Sequence, residues 1–520
     1  MREKTRWWFQ KIYLTPFMKL PFFISKNHSA LFAQAAILFL IGVASRLPFQ
    51  SHILHDMDSY NFARALDRFD VRLEQPHTPG TFFIYIVMGR LLKLFLHDPN
   101  ASLVGVNILA TGFAAAAIFI LGSTWFGILA GWVIALLMLT SPLVWFQGEV
   151  ALSYMPEFCW VLTIVLACCQ VRLGNKTALF ISAALMGLAG GIRPNTPFFL
   201  FPLWVVAVAL GLRTRKYNLW HFIWALVLLI ICIGMWAVPM VMLSGGPSGY
   251  WQAMQPWFTK HPKDGNTLNG KYRNLKLVIE SVFYGVGFAF LPTFWALRHN
   301  WRYFKTKLLR YWRFQTLILW ILPGFLYLTF IHIQQRGHTF TIMPAFIVIA
   351  GISIILAGRY LQQFRRNSLV ILTILVLAGN SLFFLFGPAN LDRVPTWATI
   401  RDYDTYITER LELIRKEFPQ TRETIVLPSG RNMAMRSFYL PEYEGISDLT
   451  EVPIVLPNHV NTLVLFDQKV LREFQAESGF QLLSLPTTGS IRYITWKHNQ
   501  QVKVSKSSFE IKDSSKSTAL

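Results

Sequence analysis

Five carboxylates, Asp56, Asp58, Asp67, Asp70 and Glu74, crowd into "HDMDSYNFARALDRFDVRLEQPHTPG", residues 55–80. Arg64, Arg68 and Arg72 are interleaved with them, and the turn His77-x-Pro79-Gly80 closes the stretch. Carboxylates at this density can do two kinds of chemistry. A single one can take the proton of an attacking hydroxyl as a general base. Two together can hold a divalent cation, and Asp56 with Asp58 is the pair a metal would use. A plainer assignment competes for each residue. Asp58, standing before "SYNFARAL", suits the N-cap of a helix, and charges on the wet face of a helix need no chemistry at all.

Further acids and cations stand near the ends of other apolar runs. Glu149 and Glu157 flank "SPLVWFQGEVALSYMPEF", Arg193 lies in "GGIRPN", and Arg336 and His338 lie in "IQQRGHTFTIMP". Each also has a bland role, as a solvated loop charge, a snorkelling arginine or a structural histidine. Gathered at one face, they would supply what a lipid-linked phosphosugar requires: carboxylates for a proton or a metal, cations for a phosphate.

The elements that must position these residues follow from hydropathy. Of 520 residues 53% are hydrophobic and 15% charged, well below the roughly 25% charged of soluble chains. Apolar runs near 29–49, 81–97, 102–122, 125–143, 157–173, 177–192, 197–212, 220–243, 276–297, 314–332, 339–358 and 368–387 have lengths that match a bilayer core of about 30 Å. The class is a polytopic α-helical membrane protein. The net charge of +22 does not call for nucleic acid. Residues 1–28, Arg172 with Lys176, 213–216, 298–313 and 359–366 hold twenty basic residues against one acid, Glu3. That is the distribution of cytoplasmic links.

Keeping those links on one side requires eleven crossings, so 81–97, which carries Arg90 and Lys93, is expected to lie in the interface rather than cross. Residues 50–101 then form the first outer loop. Within it Phe62, Ala65, Leu66, Phe69 and Leu73 follow helical spacing, with Arg64, Asp67, Arg68 and Asp70 off the stripe. The spacing predicts an amphipathic surface helix with Asp67, Asp70 and Arg64 facing water. The basic N-terminus 1–28 is expected in the cytoplasm as an uncleaved anchor, the membrane domain over 29–387, and an extracytoplasmic α/β domain over 388–520. That last part is charge-balanced, with 16 basic and 16 acidic residues. "TIVLP", "NTLVLF" and "SIRYITW" read as strands, "MAMRSFYL" and "KVLREFQ" as helices, and "KVSKSSFEIKDSSKSTAL" as a frayed polar end. Cys159, Cys168, Cys169 and Cys232 all fall in apolar runs and read as small core residues.

"DMDSYNFARAL" followed by "EQPHTPGTFFIYI" resembles the first outer loop of the GT-C membrane glycosyltransferases, above all the family 39 protein O-mannosyltransferases and the bacterial aminoarabinose–lipid A transferases. Asp58, Phe62-Ala63, Glu74 and His77-x-Pro79-Gly80 stand at the positions of that family's acid, aromatic-Ala helix, second acid and proline turn. "QQRGHTFTIMPAF" is similar to its late Arg-Tyr…Pro loop through Arg336 and Pro344, with Gly337 where the tyrosine would be and Thr78 where a second proline would be. The resemblance covers about residues 30–360.

It implies an enzyme that takes a sugar from a polyprenyl-phosphate donor and passes it to a hydroxyl of a lipid, glycan or protein acceptor outside a bacterial cytoplasmic membrane. Asp58 would be the base, with Asp56 and Glu74 as catalytic neighbours. Arg193, Arg336, Glu149, His338 and His77 would bind substrate, and a divalent metal on Asp56 and Asp58 is an option rather than a requirement. Two other classes compete: a flippase or transporter of a lipid-linked sugar, which would show paired halves with broken helices, and a scaffold presenting the C-terminal domain.

Overall fold

A computed structural model of the chain describes residues 29–260, 267–307, 311–389, 394–429, 433–446, 454–467, 480–497, 500–504 and 509–513. The cytoplasmic assignment of 1–28 and the helix expected at "KVLREFQ" lie outside the described residues. The chain divides into two units. One comprises residues 1–51 and 65–400, the other 52–64 and 401–520.

The first unit is helical. In order it contains α1 (Ser29–Ala44), the end of α2 (Met57–Asp67), α3 (Phe83–Leu96), α4 (Pro99–Phe126), α5 (Ile128–Thr140), α6 (Pro142–Glu149), α7 (Tyr154–Val171), α8 (Lys176–Ala189) and α9 (Asn195–Arg213). There follow α10 (Leu219–Leu243), α11 (Gly246–Lys260), α12 (Leu268–Val286), α13 (Phe290–Lys307), α14 (Trp312–Phe330), α15 (Met343–Leu361) and α16 (Ser368–Phe386). Among the described residues nine helical segments are long and apolar enough to cross a membrane, and the bent pair α5–α6 makes ten. The eleven crossings expected would need the shorter apolar helix α8, 14 residues long, as well. Helix α3 has 14 residues, roughly 21 Å at 1.5 Å per residue, short of a bilayer core. The protein is a multi-pass membrane protein.

The longest of these helices, α4, is the central one. Asp98 caps it by accepting from Ala101 N at 2.7 Å, Pro99 starts it, and Gly127 at φ 93 stops it. Small residues let α1 approach: a Cβ on Gly42 would stand 2.9 Å from the Gly112 Cα, the close backbone contact that membrane helices use in place of a hydrophobic drive. The 59° bend between α5 and α6 follows from Pro142, which has no N–H to donate and disfavours helical backbone at Ser141. Freed from the helix, Ser141 Oγ donates to Gly285 O at 2.6 Å. Residues 142–149, read from sequence as loop, are therefore a helix, and Glu149 ends it.

Beyond α17 (Trp397–Glu417), the second unit carries a four-stranded sheet in the order β1 (Thr424–Leu427), β3 (Thr462–Leu465), β5 (Ser490–Thr495), β4 (Gln481–Ser484). Strands β1 and β3 run parallel in the register Thr424 to Thr462, and the other pairs are antiparallel. Such a parallel pair needs a crossover, and α18 (Met433–Tyr439) lies within it. A core of Ile425, Leu427, Leu463, Leu465, Ile494 and Trp496 is buried there. The strands and the helix expected at "TIVLP", "NTLVLF", "SIRYITW" and "MAMRSFYL" are all present. The frayed end is not wholly frayed: β7 (Phe509–Asp513) pairs antiparallel with β6 (Gln500–Val504), which pairs in turn with β2 (Ile454–Val455). Its alternating "FEIKD" has the period of a strand, which the surrounding lysines and serines obscure.

Candidate active site

In the membrane unit the functional side chains gather around Arg193. Gly190 and Gly191 precede it because Trp236 leaves no room for a Cβ at either, the nearest ring atoms lying 2.6 and 2.8 Å from where one would stand. The chain can therefore turn tightly, and Arg193 N donates to Ala189 O at 3.0 Å. The side chain is buried. Its Nε lies 3.1 Å from Glu157 Oε2, and its Nη1 donates to Ser153 Oγ at 3.0 Å. The guanidinium carbon stands 4.4 Å over the Tyr154 ring and 5.8 Å from that of Phe82. Nη2 is left without a protein partner among the described residues.

Glu157, wholly buried on the first turn of α7, is held on its other oxygen. Thr196 Oγ1 from α9 and Thr341 Oγ1 each donate to Oε1 at 2.7 Å. A buried ion pair stabilises best when its remaining lone pairs are filled; here Oε1 is filled twice, while Oε2 has the ion pair and no hydrogen bond.

Arg336 opens the 3-10 turn Arg336–Thr341 between α14 and α15. Its Nη2 meets Glu280 Oε2 of α12 at 3.1 Å, and its guanidinium lies 5.2 Å over Tyr284. Tyr154 joins the two arginines. Its hydroxyl donates to Gln335 Oε1 at 2.8 Å, and its ring fills the space where a Cβ on Gly337 would collide with it. An aromatic ring thus stands beside Arg336, contributed by α7 rather than by residue 337. His338 lies 5.9 Å from that ring and 5.7 Å from the His332 ring. Burial, reinforced by Arg193, His332 and His77, pushes its pKa well below the ordinary imidazole value. His77 approaches from the first loop, its ring 4.9 Å from that of Phe82. Arg193, Arg336, His338 and His77 are therefore neighbours.

Other expected residues are not brought there. Glu149 is fully enclosed, its nearest cation Arg46 Nε at 3.9 Å, and it makes no contact with the Arg193 group among the described residues. An outward-facing, substrate-touching Glu149 is corrected to a buried partner of Arg46. Glu74, at φ 56, ends the turn Val71–Leu73 and is exposed, adding no contact to the group. Asp70 was expected to face water and does not. It is 2% exposed and clamped by Arg72, whose Nε and Nη2 donate at 2.9 and 2.7 Å. Arg72 accordingly holds the Asp70 carboxyl below its usual range. Leu73 leaves the stripe, 48% exposed, because α2 stops at Asp67 and the chain turns. Asp67 does face water, 72% exposed beside Lys93.

Asp56 and Asp58 belong to the second unit. Asp56 Oδ1 accepts from Asp58 N at 3.1 Å, and Asp56 O receives Ser59 N at 2.9 Å. Asp56 is therefore the cap, and Asp58 lies inside the first turn of α2, so the cap stands two residues before the expected one. Leu54 N donates to the Tyr439 hydroxyl at 3.0 Å, and the hydroxyls of Tyr60 and Tyr403 meet at 3.4 Å. Burial pushes Tyr403 up to about 12 and Tyr60 well above its ordinary value. Arg64, expected on a solvated face, donates instead to Ala434 O at 3.2 Å and to Ser437 Oγ. Among the described residues no group of three or more His, Cys, Asp or Glu side chains is placed to hold a metal. With Asp56 Oδ1 engaged in the cap, Asp56 and Asp58 offer a poor pair for one.

Sequence reasoning missed Tyr154 and Glu280 as members of the site and named Glu157 only among the acids of the outer face. A lone acid inside an apolar run, as Glu280 is in "KLVIESVFYG", was the signal available for one of them.

No family model matches the chain, and no curated protein matches it significantly in sequence. Solved structures do. ArnT from Cupriavidus metallidurans bound to undecaprenyl phosphate is 12% identical with a TM-score of 0.53, over 89% of this chain and 97% of that one. The same protein in the apo state gives 13% and 0.52 over the same shares. At such identity the likeness shows the fold alone, and it is the kind of fold that the first-loop motif implied: this chain has the membrane fold of ArnT, with a small C-terminal sheet region.

Proposed function

We propose that the chain is a glycosyltransferase that moves a sugar from a polyprenyl-phosphate donor to an acceptor hydroxyl at the outer face of a bacterial cytoplasmic membrane. In this reading the N-terminus is cytoplasmic and residues 388–520 are extracytoplasmic. The observation that carries the reading is Arg193, a buried guanidinium with one amine unpartnered, in the fold of a protein solved with undecaprenyl phosphate. Arg193 and Arg336 counter the charge of the leaving phosphate. Their pairing with Glu157 and Glu280 fixes them before substrate arrives. His338, kept neutral, offers a hydrogen bond rather than a third charge.

Asp58 removes the proton of the acceptor hydroxyl. The oxygen bonds to the anomeric carbon, the bond from that carbon to the phosphate oxygen breaks, and polyprenyl phosphate leaves with the electron pair. No step needs a metal, and none is assigned one. The positive links on the other side of the bundle support the orientation.

Asp58→Asn tests the base. It keeps hydrogen-bonding capacity on α2 and removes basicity, so transfer should fall about 10²–10⁴-fold while undecaprenyl phosphate still binds and the protein still folds. Near-normal transfer by Asp58→Asn would overturn the assignment.

A further inference from the structure

A second cleft lies at the far end of the same helices. It is a shallow, open cleft between α9 and α14, floored by Cys168, Cys169 and Arg172 at the end of α7. Arg172 is 18 residues from Tyr154, roughly 27 Å along the helix, so this is not the Arg193 site. Each wall is one helical stripe. From α9 come Leu203, Val206, Ala207 and Leu210, and from α14 Trp312, Gln315, Thr316 and Leu319, both with i, i+3, i+4, i+7 spacing. Because α9 runs toward this end and α14 away from it, Leu210 and Trp312 stand at the mouth, and Leu203 and Leu319 lie deeper. The cleft is polar and cationic at its mouth and apolar inward.

Arg172 has no hydrogen-bond acceptor and no ion-pair partner among the described residues. Its guanidinium stacks 4.7 Å over the Trp312 ring. Lys216 is brought alongside, donating to Leu173 O at 3.2 Å. The sequence shows why no counter-charge is at hand. There is no Asp or Glu from 158 to 263, nor from 281 to 391, which takes in α9, α14 and all of α7 beyond its first turn. The arginines at the other end each have a glutamate, whereas this one has no anion among the described residues.

We infer that this cleft binds one anionic phospholipid, with its phosphate on Arg172 and an acyl chain along the seam of α9 and α14. Basic pockets between membrane helices hold lipid headgroups in this manner, and the amphipathic gradient of the cleft fits a molecule with charge at one end only. A free phosphate would satisfy Arg172 but leave the apolar depth without an occupant.

The test is native mass spectrometry of the full chain released from detergent after incubation with phosphatidylglycerol, phosphatidylcholine or inorganic phosphate. One phosphatidylglycerol should be retained, at least tenfold more than phosphatidylcholine, and millimolar phosphate should not displace it. Arg172→Gln should lower retention at least fivefold. Arg365→Gln, an exposed charge beyond α15, should not change it. Val206→Trp, which fills the cleft and leaves Arg172 intact, should give the same loss, so a folding defect in one variant leaves the other to decide. Equal retention of both lipids, retention unchanged by Arg172→Gln and Val206→Trp, or displacement by phosphate would each overturn the inference.

Discussion

Two buried arginine–glutamate pairs stand in the membrane unit, and they are built differently. Arg193 and Glu157 approach to 3.1 Å, and the glutamate also accepts from Thr196 and Thr341 at 2.7 Å. Arg46 and Glu149 come no nearer than 3.9 Å, and neither oxygen of Glu149 has a hydrogen-bond partner. Taking two charges out of water is recovered only with good geometry and filled lone pairs. The first pair comes nearer to that condition, with Oε1 filled twice and only Oε2 lacking a hydrogen bond, whereas both oxygens of Glu149 lack one. The difference follows from location. Arg193 is fixed by groups from α7, α9 and the Arg336 turn, three elements that meet where substrate is proposed to bind. Arg46 is fixed mainly by its own neighbourhood: Nη2 donates to Leu139 O at 2.9 Å, Nη1 to Ser45 Oγ at 3.0 Å, and the guanidinium lies 4.7 Å over Trp145. A preorganised cation is one whose partners hold it without being the ligand.

The largest effect should come from the tight pair. Glu157→Gln keeps shape and one acceptor but leaves Arg193 as an uncompensated buried charge, which costs about 3–5 kcal/mol in comparable pairs. Unfolding of the detergent-solubilised protein should register it as a clear drop in midpoint. A change within error would mean that Arg193 is compensated by something other than Glu157, and the contrast between the pairs would lose its basis.

A smaller effect, and one dependent on pH, belongs to the partly exposed pair of the first loop. The Asp70 carboxyl is held below its usual range by Arg72, so its contribution is present above the unfolded value of about 3.9 and is lost as pH falls through the lower folded value. Arg72 is 46% exposed, so Asp70→Asn should cost only about 1–2 kcal/mol near neutrality. The wild-type and variant stability curves should converge only in strong acid. His338 has the opposite sign of demand. Its imidazole resists protonation in the fold, so stability should decline as pH drops below about 6.5, by at most about 1.4 kcal/mol per pH unit. A loss between pH 6.5 and 5 that survives His338→Gln would place the sensitivity elsewhere.

The sequence carried most of the architecture because the bilayer makes hydropathy nearly sufficient: the long apolar helices, the short α3 and the sheet region after α17 all follow from runs of one-letter types. The first-loop motif carried the fold family. What it could not carry were contacts made across sequence. Asp70 looked solvated because a carboxylate two residues from an arginine is common on wet helices, and only the turn that ends α2 at Asp67 buries it. Asp58 looked like the cap although Asp56 is equally able, and the choice between them rests on two residues of helix register. Glu149 looked like a loop acid until Pro142 was seen to start a new helix rather than end one. Tyr154 carried no signal at all, since a tyrosine at a helix start is ordinary until Gly337 is found beneath its ring.

The smallest expected effect is the most discriminating. Glu149→Gln removes one member of a fully buried pair, and by the rule that applies to Glu157 it should be severe. The geometry argues otherwise. At 3.9 Å there is no hydrogen bond between the two side chains to lose, and the carboxylate's oxygens are unfilled, so its own desolvation is poorly repaid. Arg46 keeps its two oxygen acceptors and its aromatic face when the charge is gone. The substitution should therefore change stability by less than about 1 kcal/mol, in either direction, measured beside Glu157→Gln under the same conditions. A loss approaching that of Glu157→Gln would mean that the Arg46 pair closes further than 3.9 Å in the membrane, and that burial alone, not the completeness of hydrogen bonding, sets what such a pair is worth in this bundle.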